Sequence, residues 1–258
     1  IDKSAEEKVK KIFDRLWYQP AETAYSKFHQ RLKDKLTEIT YFKVVNNCVV
    51  AFDVHFEVVF LMNQLGKLDA LYPQKLVDEM TRQFLKEKQK VKIKGGKFPI
   101  LSPANLIIYL SLHFFHHNFR GMHRLKFLDK IVFYYRNEFA NGLSAEIIDK
   151  IKHYKLQNFV YPGFAMLILC FGRVFPPRIL DKIKPGRSTL KYIDKLIRDQ
   201  NIADGEDHLT AGIKRFKNIF WLSPNPWRQK ILVFLNPAVI YSFIWSIVNK
   251  KIKCFKRL

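Results

Sequence analysis

Apolar residues alternate in strand fashion over residues 39–60 and fall at helical spacing over most of the remaining chain, and that contrast restricts the folds open to it. Up to about residue 60 the segments 39–45 and 49–60 are rich in β-branched and aromatic residues, parted by Asn46-Asn47. Asparagine tolerates a positive φ, so the pair predicts a β-hairpin. Alternation in its second strand sets Asp53, His55 and Glu57 on one face and Phe52, Val54, Phe56 and Val58 on the other. Three ionisable side chains opposite an apolar face form an unusual arrangement, and that face is the first candidate site. Its plain alternative is an exposed strand carrying mixed charges.

From Ser102 onward the pattern is helical. Ser102-Pro103 reads as an N-cap followed by proline in the first helical position. The helix it opens, 104–118, carries Leu106, Tyr109, Leu110 and His113 at helical spacing. Gly121 interrupts it, and further helices are predicted over 122–135, 144–155, 160–171 and 190–200. Upstream, Ser4 and Glu7 form a capping-box pattern for a helix over 4–16, with Val9, Ile12, Phe13 and Leu16 as its apolar stripe. A short helix is expected over 25–36, a longer one over 68–90, and a turn at Gly95-Gly96. The predicted fold class is α+β: a small mixed sheet within residues 1–100, followed by a helical region, 101–258, that ends in a basic tail.

Charge widens the choice of partner without naming one. Lys and Arg total 45 against 23 Asp and Glu, a net +22, which favours any polyanion: nucleic acid, nucleoside triphosphate or acidic lipid. The cations are scattered and mostly lysine, and no nucleic-acid-binding motif appears. A 48% hydrophobic composition is enough to bury a large core and excludes a disordered basic tail. Three separated cysteines, Cys48, Cys170 and Cys254, exclude a disulfide scaffold and read as buried thiols in a reducing cytoplasm. No Gly-x-Gly-x-x-Gly, Walker loop or Gly-x-Ser-x-Gly elbow occurs. The apolar run 231–248 is broken by Asn236-Pro237. Its expected forms are a buried helix, a membrane span or, with the basic tail through 258, peripheral contact at the inner membrane surface.

The second candidate site is a histidine group. His113 and His117 stand four residues apart on one helix face, with His116, His123, Arg124 and Asp129 close by. Three readings are open: a metal site, a polar network of His113, His117, Arg124 and Asp129 joining two helices, or a phosphate contact by Arg124.

Three stretches taken together resemble the uncharacterised nucleotidyltransferase family of the DNA polymerase beta-like superfamily. They are Ile1-Asp2 with KSAEEKVKKIFDRLWY, the strand VAFDVHFEVV, and FPILSPANLIIYLSLHFFHHNFRGMHRLKFLDKI. The similarity spans about residues 1–175, with Ala104 where the family carries Glu and Phe56 where it carries Trp. The resemblance implies metal-dependent transfer of a nucleoside monophosphate from a nucleoside triphosphate to an unidentified hydroxyl acceptor, with Mg2+ or Mn2+. It implies Asp53 as a metal ligand and catalytic residue; beside it, His55 on the same strand face is read as substrate-binding, Glu57 as the substitute ligand should the register differ, and Arg124 of the histidine group as a further substrate-binding candidate. The family's Gly-Ser turn and Asp-x-Asp pair would precede Ile1, so the chain is expected to lack an N-terminal segment that carries two of three catalytic carboxylates. The alternative function is a non-catalytic basic protein bound to nucleic acid or to the membrane surface.

Overall fold

The computed structural model describes residues 1, 3–21, 38–58, 69–172, 176–199, 208–237 and 239–240. The expected helix over 25–36 and the basic tail beyond 240 lie outside them.

The chain opens on a 3-10 turn, Lys3–Ala5, and then helix α1, Glu6–Arg15. The cap position is Ala5, which makes no side-chain cap bond, because the 3-10 turn takes up Ser4 and moves the helix start one residue along from the expected cap. Glu6 and Glu7 still occupy the first turn, where backbone N–H groups favour acids. Of the predicted stripe, Val9 is buried and Phe13 packs beside it, while Ile12 and Leu16 are exposed. Strands β1 (Gln19–Pro20), β2 (Glu38–Val45) and β3 (Cys48–His55) follow in the order β1-β2-β3. Every pairing among the described residues is antiparallel, where a mixed sheet was expected. Asn46 (φ 50) and Asn47 (φ 60) make the tight turn, and both left-handed positions suit asparagine.

That turn fixes the register: Val45 faces Cys48, Thr40 faces Asp53 and Glu38 faces His55. The apolar face of the hairpin lies on α1. Tyr41 stacks on Phe13 at 4.3 Å, Phe52 meets Phe13 and Tyr18, and Val9, Tyr41, Val54 and Phe56 form a small core.

A second, larger core begins at Val58 and runs through the helices. Helix α2 (Gln74–Lys86) turns Val77, Met80, Thr81 and Phe84 inward at helical spacing, and the backbone N–H of Val58 donates to Thr81 Oγ1 at 3.1 Å. The hairpin β4 (Gln89–Ile93) and β5 (Gly96–Ile100) turns at Lys94-Gly95, both with positive φ. Helix α3 (Pro103–His116) starts at Ser102 as predicted and is buried on nearly every side. Around it lie α4 (Met122–Tyr134), α5 (Ser144–His153), α6 (Gln157–Phe171), α7 (Pro177–Lys182), α8 (Arg187–Arg198), α9 (His208–Leu222) and α10 (Trp227–Ile231).

The run predicted from residue 231 breaks early: a 3-10 turn covers Leu232–Leu235, and Asn236 is extended. Among the described residues no helix is long and apolar enough to cross a membrane. Cys48 and Cys170 are exposed, one beside the hairpin turn and one in the last turn of α6, so they are not the buried thiols expected; Cys254 lies outside the described residues.

Candidate active site

The polar face of the β2–β3 hairpin gathers Glu38, Thr40, Asp53 and His55. Pairing across an antiparallel ladder puts directly opposed residues on one face, so Thr40 Oγ1 donates to Asp53 Oδ1 at 2.7 Å. His55 Nδ1 stands 3.5 Å from Glu38 Oε2. One ligand atom each from Glu38, Asp53 and His55 lie within 4.8 Å of one another. Asp53 is exposed and its two neighbours half-buried, so the group is open on one side. Burial pushes the Glu38 carboxyl above the ordinary range; the Asp53 charge pushes the same way and Arg215 opposes it. Burial also lowers the His55 pKa to about 4, against the pull of Asp53, so its ring is neutral at pH 7. Neutral imidazole is the form that ligates metal.

Glu57 lies outside this group. Its Oε1 accepts from Gln74 Nε2 at 3.2 Å, beyond the end of β3, where the strand alternation that would align it with Asp53 has stopped. The carboxylate beside Asp53 is Glu38. The backbone nitrogen of Ile1 donates to the His55 carbonyl at 2.8 Å, so the opening residue sits against the same strand.

A second polar group lies along helix α3, near enough for the hairpin's charges to act on it. Helix α3 is mostly buried; Tyr109, His113 and the C-cap residue His117 fall four residues apart and are half-buried. The Tyr109 ring stacks with His113, and His117 Nε2 lies 3.2 Å from His113 Nε2. Burial and the Arg124 charge lower the two histidines to about 4 and about 3 respectively. Asp53 and His55 both act on His113, and Glu38 and Asp53 help burial push the Tyr109 hydroxyl up to about 12. Arg215, from α9, acts on His117 and on Glu38.

Asp129 does not join this group. It is five residues past Arg124, roughly 140° round the helix, and its Oδ1 is buried without a hydrogen-bond partner. Among the described residues the set of three metal-ligating groups is the one at Glu38, Asp53 and His55, not one at the histidines.

Gly121 caps α4 at φ +91, and a Cβ there would stand 2.5 Å from Arg124 Nη1 and 3.0 Å from His123 Cε1. Gly121→Ala is expected to cost on the order of 1–3 kcal/mol through backbone strain and to push Arg124 off its present position. Urea denaturation measures the first effect, and phosphate affinity the second.

Glu38, Asp53 and His55 thus form one group of metal-ligating side chains, and His113, His117 and Arg124 a second polar group on which its charges act. Residues 1–172 match the family model described as "Uncharacterised nucleotidyltransferase", and the chain belongs to that family. Comparisons with curated proteins and with solved structures gave no match.

The sequence singles out Asp53, His55, His113, His117 and Arg124 as candidates but not Glu38, Thr40 and Arg215, which the structure brings into contact with them or within reach of their charges. The first two could have been found by counting outward from the Asn46-Asn47 turn. Arg215 carries no such local signal.

Proposed function

We propose that this protein transfers a nucleoside monophosphate from a nucleoside triphosphate to a hydroxyl acceptor in a metal-dependent reaction. The observation that carries this reading is the approach of Glu38, Asp53 and His55 ligand atoms to within 4.8 Å of one another on the face opposite His113. The donors suit a hard divalent ion, Mg2+ or Mn2+, with the imidazole favouring Mn2+. Glu38, Asp53 and His55 would hold it, and such an ion offsets charge on the triphosphate and the leaving pyrophosphate.

The chain's own residues do the rest. Arg124 and the two neutral imidazoles of His113 and His117 bind and orient phosphate oxygens. The acceptor oxygen bonds to the α-phosphorus as the bond from that phosphorus to the pyrophosphate oxygen breaks. The acceptor's proton leaves to the Asp53 carboxylate, which Thr40 steadies from one side.

Thermal melting with Mn2+ and each of the four triphosphates tests the reading. A ligand at a hundredfold excess over its Kd stabilises by about 2.7 kcal/mol, which is a rise of roughly 5–10 °C for a chain of this size. A melting curve that none of the four moves, with Mn2+ present, overturns the reading and supports the non-catalytic basic binder instead.

A further inference from the structure

Helix α9 lies beyond the family-matched residues 1–172, yet it is fastened to the end of α3 where the histidine stripe finishes. Ala211, Arg215, Asn218 and Leu222 share one face of α9 at helical spacing. Asn118, directly after His117, donates through Nδ2 to the Ala211 carbonyl at 2.9 Å. Its Oδ1 accepts from Asn218 Nδ2 at 3.1 Å, and Asn218 Oδ1 in turn accepts from the Tyr192 hydroxyl at 2.8 Å. Asn118 is 3% exposed and Asn218 4%, so these bonds are made out of water, where breaking one is costly. At the far end of the helix, Asn158 Nδ2 donates to the Leu222 carbonyl at 2.9 Å. Arg215 lies between Ala211 and Asn218 on this face, so the clamp holds its stretch of backbone beside the end of the histidine stripe. From there its charge reaches His117 on one half of the site and Glu38 on the other.

We propose that Arg215 is a second phosphate-binding arginine, supplied by helix α9, and that with Arg124 it forms a polyphosphate subsite opposite the Glu38–Asp53–His55 face. This rests on the nucleotide-binding reading of that face. A divalent ion would offset the charge of Glu38 and Asp53, and both guanidiniums then add to a positive field that a chain of phosphates suits. Guanidinium also offers a planar fork that grips two oxygens of one phosphate, which lysine cannot reproduce. A second arginine beside Arg124 adds a second fork for phosphate oxygens, as a chain of phosphates requires and a single phosphate does not.

Isothermal titration of inorganic tripolyphosphate and of adenosine monophosphate, both with Mn2+, tests this on wild-type, Arg215→Gln and Arg215→Lys proteins. Arg215→Gln is expected to weaken tripolyphosphate by about tenfold or more, the loss of a charge-assisted hydrogen bond. The monophosphate and Mn2+ alone should shift by less than about threefold, since a counter-ion role toward Glu38 would instead move Mn2+. Arg215→Lys keeps the charge and the melting temperature, and should show a smaller loss for tripolyphosphate. Unchanged tripolyphosphate affinity in either folded variant overturns the proposal, as does wild-type protein that ignores tripolyphosphate. Wild-type binding that Arg215→Gln abolishes, together with no response to any nucleoside triphosphate, sinks the nucleotide reading and leaves the anion subsite standing.

Discussion

Asp53→Asn is expected to lower Mn2+ affinity at least about a hundredfold, since loss of even an outer-shell partner of a metal ligand costs about 10–100-fold. Nucleotidyl transfer should fall with it. The substitution keeps size and the Thr40 contact while removing one of two carboxylates that stand together on the hairpin. Asp53 is exposed, so little packing is lost. Its charge helps push the Glu38 carboxyl up, and removing it lets Glu38 ionise more readily. The metal-free variant should therefore melt at the wild-type temperature or slightly above it, a common trade between function and stability at such sites. Titration calorimetry with Mn2+ alongside a melting curve separates the two effects. Wild-type Mn2+ affinity in the variant would remove Asp53 from the site.

Phe159→Ala is expected to cost about 3–5 kcal/mol, the range for deleting a fully buried aromatic ring. Phe159 is wholly buried near the start of α6, 5.1 Å from the Phe115 ring of α3 and 5.8 Å from Tyr72. Three separate elements meet at that ring, so no single one can shift to fill the void. At 2–4 °C per kcal/mol for a chain of this size, the melting temperature should drop by roughly 10 °C. Leu169→Ala, in the same helix but 72% exposed, is the control and should stay within about 0.5 kcal/mol of wild type. A loss below about 1 kcal/mol for Phe159→Ala would mean that the large core is not centred on α3 and α6.

The hairpin and the helices after Ser102 were legible because their signals are local. Asn46-Asn47 dictates a tight turn, alternation places Asp53 and His55 on one face, and Ser102-Pro103 starts α3. The same alternation misled at Glu57: β3 ends at His55, so the side chain two residues on no longer belongs to that face. The cap of α1 falls on Ala5 and not on Ser4 because a 3-10 turn, which no residue type announces, comes before the helix. Ile12 and Leu16 fit the helical period yet stay exposed, because the small sheet is only wide enough to cover Val9 and Phe13. Arg215 was hidden for another reason. Its position depends on a bond between Asn118 and Asn218, a hundred residues apart, and nothing in the spacing of either asparagine encodes that meeting.

The two halves of the site are rooted in different places. The acids ride on a sheet whose apolar side is held by Val9, Tyr41, Val54 and Phe56, while the histidines and both arginines stand on helices, with α3 at the centre of the larger cluster. The side chains that hold the hairpin in shape are therefore not the ones that hold α3, and a substitution in the small cluster leaves the packing residues of the large one untouched.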